Sequence, residues 1–251
     1  MKIQHFVILI TLLFTVACKK SKKTLYKVEG KQIITDSTVI NNKKVADFIA
    51  PYKKHLNEQL DETLCNTPID LTRVDGKLES SLGNLMADIC FEQGNPVFEK
   101  QTNKTIDFVL FNYGGIRAPI PKGNITARNA FEVMPFENEL VVVELSGKKV
   151  TELLHYLFVN KKAHPISKLN LKLNKETYQD VTINNIPFDE TKNYLVLTSD
   201  YLQEGGDKMN FFKNPVSLHK TDYKIRAALI DYFKKTDSII PNIDNRFTYA
   251  N

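Results

Sequence analysis

The run "ELVVVEL" at 139–145 constrains this chain most, because three consecutive valines between leucines leave the backbone few choices. β-Branched side chains are stiff at χ1 and fit a pleated, extended backbone, so the run is predicted as a strand. Ser146 then stands as a helix N-cap, and Val150, Leu153, Leu154 and Leu157 follow at helical spacing. Two further runs of the same character are "TIDFVLF" (105–111) and "NYLVLTSDYL" (193–202). Each ends at a glycine pair, "NYGGIR" (112–117) and "EGGD" (204–207), which marks a turn.

Between these strands the period changes. Val45, Phe48, Ile49, Tyr52, Leu56, Leu60 and Leu64 keep helical spacing over 44–64, with Pro51 marking a kink or a start. Leu82, Leu85, Met86 and Ile89 define a second helix over 79–94, with Gly94 as its stop signal. Alternation over 168–188 predicts a hairpin, "KQIITDSTVI" (31–40) an early strand, 222–235 a helix and "NRFTY" a last strand. No solenoid repeat and no interdomain linker interrupts the pattern. Helix pairs with mostly hairpin-linked strands imply an α+β fold in one domain, 36–251.

The first residues carry a different signal. "MKIQH" is a short basic start, and "FVILITLLFTVA" (6–17) is an apolar run too short to span a bilayer but suited to a signal-peptide core. Cys18 follows directly, so 1–17 is read as a lipoprotein signal peptide and Cys18 as the lipidated residue. Residues 18–35 then form a lipid-anchored tether whose "KKSKK" (19–23) adds electrostatic attraction to the membrane. This places the protein outside the cytoplasm, on the bacterial cell envelope and facing the periplasm. In such an oxidising compartment Cys65 and Cys90 could pair, or they could be two small buried thiols. The formal net charge of +5 owes much to 19–23, and the nearly balanced remainder excludes a nucleic-acid binder.

No catalytic apparatus is visible. His55, His155, His164 and His219 form neither a close pair nor HExxH, and His155 and His164 read as surface or satisfied side chains. Cys65 and Cys90 lack CxxC spacing, and GxSxG, Walker and GxGxxG patterns do not occur. Catalytic and metal-ligating residues are therefore predicted as none. The two glycine pairs suggest a binding site instead, since glycine tolerates positive φ and lets a backbone or ligand approach closely. Asn112 can donate and accept, Arg117 can fork onto an anion, Asp207 can accept from hydroxyls, and Phe136 and Tyr201 offer faces for stacking.

The combination is more specific than its parts. The helical stretch near 44–64, "ESSLGNLMADIC" (79–90), "NYGGIRAPIPKGNITARNAFEVMPFENELVVVELSGKKVTELL" (112–154) and "NYLVLTSDYLQEGGDKM" (193–209) occur in this order. Over 40–235 the chain resembles the C-terminal domain of the 5′-nucleotidase family, exported hydrolases of nucleotides and UDP-sugars. The resemblance implies mixed sheets with flanking helices and a nucleoside site. It implies a base stacked between Phe136 and Tyr201, a ribose held by Asp207, contacts from Asn112 and Arg117, and a loop lined by Gly114 and Gly115. Arg73, in "TRVDGKLE", receives no role from the motif.

Complete members of the family also carry a metallophosphatase domain with a dinuclear metal site, marked by DxHG and GNH, and neither motif occurs here. The expectation is a nucleotide- or nucleoside-binding half. A separate metallophosphatase polypeptide would supply the divalent metals and phosphate hydrolysis, and this chain would be inactive alone. The alternative is a non-catalytic nucleoside-binding lipoprotein for capture or sensing.

Overall fold

The strand foreseen at 139–145 is β4 (Glu139–Ser146), and the main sheet is built around it. The structure is a computed structural model that describes residues 24–36, 38–241 and 243–250. The signal segment 1–17 and Cys18 lie outside the described residues. The chain divides into two compact units at Ile49/Ala50. In the first, no strand forms among the described residues of 31–40, contrary to expectation. Those residues are exposed, so their apolar side chains have no sheet face to bury against.

Helix α1 (Lys43–Leu60) begins before the division and runs through Pro51. Then follow β1 (Thr63–Thr67), α2 (Ser81–Thr102), β2 (Phe108–Leu110), β3 (Gly123–Thr126), α3 (Ala127–Val133), β4 and α4 (Gly147–Asn160). The second half holds β5 (Ile166–Ser167), β6 (Leu169–Leu173), β7 (Tyr178–Ile183), β8 (Ile186–Pro187), β9 (Asn193–Ser199) and α5 (Asp200–Gln203). It closes with β10 (Ser217–Lys224), α6 (Ile225–Lys235) and β11 (Phe247–Tyr249). The fold is α+β, with mixed sheets and flanking helices.

The main sheet has the order β10-β4-β9-β2-β5, with β2 and β9 parallel and the other pairs antiparallel. β4 and β9 share an unbroken register from Leu140↔Ser199 to Ser146↔Asn193. A second sheet, β11-β6-β7-β8, contains the foreseen hairpin, and β1 pairs with β3. Most main-sheet neighbours are distant in sequence, so the hairpin-linked picture holds only for β6–β8. Periodicity reports which face of a strand is apolar and says nothing of its neighbour.

Three boundaries differ from the expectation. α2 does not stop at Gly94 but continues through Pro96 to a left-handed cap at Asn103. Gly94 is a packing residue, since a Cβ there would stand 3.3 Å from a methyl of Leu197. β9 ends at Ser199, where the Ser199 Oγ accepts from the Leu202 N–H at 3.2 Å and starts a helical turn. Residues 222–224 belong to β10, which pairs with β4, so the last long helix starts at Ile225.

The core lies between the main sheet and its helices. Leu140, Val143, Val196, Leu197, Leu153, Leu154 and Leu157 are fully buried. Each such side chain contributes about 1.5–3 kcal/mol by leaving water. Ser146 occupies the N-cap of α4 as foreseen, though its side chain makes no cap hydrogen bond. Cys65 and Cys90 are buried free thiols, which resolves the alternative left by their spacing. Burial pushes the Cys65 thiol up to about 11.

Candidate functional site

The β2–β9–β4 register decides where the predicted residues meet. β2 and β9 run parallel, so their carboxyl ends emerge on one side, and Thr198 Oγ1 donates to the Leu110 carbonyl at 2.9 Å. β4 is antiparallel to β9, so the residues just before β4 arrive at that same edge. Asn112–Arg117 after β2, Phe136 before β4, and Tyr201 and Asp207 after β9 are thereby gathered. A cleft of about 290 Å³ results, lined by Asn112, Gly114, Gly115, Arg117, Phe136, Tyr201 and Asp207. All seven residues singled out in the sequence line it. Ligand sites recur beyond the carboxyl ends of strands for this geometric reason.

Asp207 is held from several sides. Asn112 Nδ2 donates to its Oδ2 at 2.7 Å, and the Tyr201 hydroxyl donates to its Oδ1 at 3.1 Å. Its backbone N–H donates to the Tyr201 hydroxyl at 3.3 Å, and the Tyr156 hydroxyl donates to its carbonyl at 3.0 Å. The residue is left-handed, at φ 50° and ψ 27°, a conformation uncommon outside glycine and kept here by these four bonds. Burial, with the charge of Asp207 adding to it, pushes the Tyr156 hydroxyl above its ordinary pKa and keeps it a donor.

The glycines serve unequally. Gly114 and Gly115 do not adopt positive φ, contrary to the freedom expected of them, while Gly205 does, at +90°. A Cβ on Gly115 would stand 2.8 Å from Asn112 Oδ1, and one on Gly206 2.4 Å from Tyr201 Cε1. Gly115 clears room for the Asn112 amide, and Gly206 lets the Tyr201 ring lie against the backbone.

Two aromatic faces remain open, with Phe136 44% and Tyr201 47% exposed. The Arg117 guanidinium carbon lies 5.9 Å from the Phe136 ring centroid, and its Nη1 donates to the Gly114 carbonyl at 3.3 Å. Arg226, on α6, fixes the Phe136 segment by donating to the Met134 and Phe136 carbonyls at 3.1 Å each, while pairing with Glu137. Arg73 sits behind the glycine loop, donating to the Ile116 carbonyl at 2.6 Å and lying 4.6 Å from the Tyr113 ring centroid.

The reading of single residues missed His164. It is buried, and its Nδ1 accepts from the Tyr113 N–H at 3.1 Å, in the middle of the glycine loop. That bond assigns the ring proton to Nε2. Burial pushes the imidazole down to about 4, so it is neutral at physiological pH. The only sequence signal is position, before Pro165 and between two runs. Met86, Phe111, Met134, Asn138, Ser199 and Ile225 complete the cleft and were not singled out as ligand contacts. Asn138 lies two residues past Phe136 and adds an amide to the lining.

Among the described residues no three His, Cys, Asp or Glu side chains come together as a metal-ligand set. The donors among these residues do not fit a dinuclear metal centre. No described helix is long and apolar enough to cross a membrane.

Comparison with known proteins gives a consistent result. Residues 62–214 match the family described as 5′-nucleotidase, C-terminal domain. A 5′-nucleotidase-related protein of Glossina morsitans morsitans is 26% identical over 253 residues, covering 92% of this chain and 45% of its own. Protein UshA of Escherichia coli K12 is 22% identical over 225 residues, covering 88% and 40%. Among solved structures, a 5′-nucleotidase precursor from Thermus thermophilus superposes with TM-score 0.69 at 24% identity, covering 83% of this chain and 43% of that one. The NAD nucleotidase NadN of Haemophilus influenzae gives 0.63 at 20%, covering 84% and 42%. The chain thus spans less than half the length of these relatives.

Proposed function

This chain belongs to the 5′-nucleotidase C-terminal domain family, and we propose that it is the nucleotide- or nucleoside-binding half of a split 5′-nucleotidase-type hydrolase. The observation that carries this reading is the cleft itself. Three separate sequence segments bring two half-exposed aromatic faces, a fixed carboxylate and a guanidinium to one edge of the sheet. A base would stack between Phe136 and Tyr201. The sugar would donate to Asp207, the Asn138 amide would meet a base edge, and Arg117 would face a phosphate. A separate metallophosphatase polypeptide would hold the divalent metals and cleave the phosphoester. The chain would reach that partner from the envelope, anchored through Cys18.

Titration of adenosine, AMP and a UDP-sugar against the full chain in detergent tests the cleft. Phe136→Ala and Tyr201→Ala should each weaken binding by about 1–3 kcal/mol, roughly 5- to 150-fold. Unchanged affinity in both variants would remove the stacking site. The split arrangement is tested separately with Mn²⁺ or Zn²⁺ and AMP. The chain alone should release no phosphate, and release abolished by a cleft substitution would overturn the need for a partner. Pull-downs from membranes that retain nucleoside affinity yet never recover a metallophosphatase would favour the capture or sensing role. Mass spectrometry of the mature N-terminus checks for an acylated Cys18.

A further inference from the structure

Helix α1 has 18 residues and buries none of them. At about 100° per residue, Val45, Phe48, Ile49, Tyr52 and Leu56 share an arc of about 100°. From Lys43 to Glu58 no charged or amide side chain falls inside that arc. The five side chains are 48–70% exposed, so the arc is an apolar stripe turned to solvent. Lys44 and His55 border it on one side and Lys53 on the other. The acids Asp47 and Glu58 lie on the opposite face, paired with Lys43 at 2.8 Å and Lys54 at 3.9 Å. The end of the helix is fixed to α3. Arg128 Nε donates to Asp61 Oδ1 at 2.5 Å, and its Nη2 donates to Asp61 Oδ2 and Asn57 Oδ1 at 3.0 Å each.

A helix divided in this way suits the plane of a lipid surface. The apolar face enters the acyl boundary, while the bordering lysines stretch along their own stems to the headgroups. It lies on the bilayer rather than through it, since no described helix is long and apolar enough to cross. A second protein surface fits less well. Five side chains already partly covered fall short of the roughly 800 Å² that each partner brings to a stable protein interface. A bilayer needs no such matched area, and its anionic headgroups complement Lys44 and Lys53. Residues 19–42 reach at most about 85 Å when fully extended. A lipid on Cys18 would therefore keep α1 beside the membrane, where even a weak surface affinity seats it.

We propose that the stripe from Val45 to Leu56 is a membrane-surface contact, lying in an anionic lipid interface and held to the body through Arg128. The inference rests on the envelope reading of this chain, adds a second contact to the lipid on Cys18, and is independent of the nucleoside cleft.

The chain contains no tryptophan, so Leu56→Trp gives a single reporter in the stripe. Ile186→Trp gives one on β8, at a side chain that is likewise exposed. The full chain of each variant is reconstituted with vesicles of equal parts phosphatidylglycerol and phosphatidylethanolamine, with brominated acyl chains as quencher. Emission from Leu56→Trp should move to shorter wavelength and be quenched, and emission from Ile186→Trp should do neither. Adding Lys44→Glu and Lys53→Glu to Leu56→Trp should lower the ratio of quenched to unquenched reporter about fivefold or more, and added salt should lower it too. An unquenched Leu56→Trp reporter on a chain that stays with the vesicles overturns the helix contact and leaves the Cys18 anchor standing. An unquenched reporter on a chain that leaves the vesicles overturns both. Equal quenching of the two reporters also overturns the contact. So does a shift that needs no lipid and grows with protein concentration, which would make a second copy of the chain the occupant.

Discussion

Two concavities on this molecule differ in a way that volume does not rank. The larger, about 610 Å³, is lined by Asp88, Phe91, Glu92, Lys168, Asp244 and Arg246 among others. The smaller, about 290 Å³, is the cleft. In the larger groove Arg246 gives all its donors to neighbours. Nε and Nη2 donate to Asp244, Nη1 and Nη2 to Asp88, and Nη1 also to the Ile166 carbonyl, all within 2.8–3.0 Å. Ser167 Oγ donates to Asp88 as well, at 2.6 Å. Arg246, Asp88, Asp244 and Ser167 form a closed cluster that ties the C-terminal strand to α2. In the cleft Asp207 keeps acceptor capacity and two rings stay half exposed. Unsatisfied polarity beside open apolar faces, rather than empty volume, distinguishes a place that needs a ligand.

The largest effect should come from breaking the groove's clasp. Arg246→Met should lower unfolding free energy by about 3 kcal/mol, near the low end for a disrupted buried pair. The discount is physical, because Arg246 is 9% exposed but Asp88 and Asp244 are 46% and 37% exposed and can rehydrate. Denaturant unfolding measures the loss, and adenosine affinity of the folded protein should stay within about twofold, since the groove touches none of the cleft's ligand groups. A stable variant with weakened nucleoside binding would erase the contrast between the two regions.

The next effect is on the other side of the comparison. Gly206→Ala puts a Cβ 2.4 Å from the Tyr201 ring, so the ring must swing away and lose both its stacking position and its bond to Asp207. Nucleoside affinity should fall by about 1–3 kcal/mol, with little change in stability because the ring is already half exposed. Gly94→Ala, whose new Cβ would meet the movable ends of Leu197 at 3.3 Å and Leu140 at 3.5 Å, should leave affinity unaltered. Calorimetric titration of both variants separates a glycine that shapes a site from one that packs a core.

What the sequence disclosed follows the range of its signals. Valines and leucines at strand and helix periods located β4, β9, α2 and α4, and the family motif pointed to seven of the thirteen residues that line the cleft. Local composition cannot report partners across a sheet, so the order β10-β4-β9-β2-β5 and the strand at 217–224 were not legible. Gly94 misled because a glycine kept for close packing looks like one that ends a helix. Tyr201 was legible as a ring but not as a hydroxyl donor, since the bond to Asp207 exists only once Gly206 admits the ring. His164 was illegible for a related reason. Its partner, the Tyr113 amide, is brought to it by the β2–β5 pairing and not by any neighbour in sequence.

His164 also gives the smallest and most selective test, because the two regions should respond to acid in separate windows. Its folded pKa, about 4, lies below its ordinary 6.5, so as pH falls the unfolded chain takes up this proton first. Its contribution to stability is therefore complete above about 6.5 and is lost as pH drops toward 4. Between pH 7 and pH 5.5 the loss should be about 1 kcal/mol. Asp244 behaves in the lower window. Its hydrogen bonds to Arg246 hold its carboxyl below the ordinary 3.8, so its contribution persists until pH falls beneath that value. His164→Asn retains an acceptor for the Tyr113 N–H without a titrating ring, and should flatten the slope between pH 7 and 5.5 while leaving the fall below pH 4 in place. Urea unfolding at a series of pH values reads both. If the original chain shows no loss above pH 5.5, the buried neutral imidazole beneath the glycine loop is not the group that sets the cleft's acid limit.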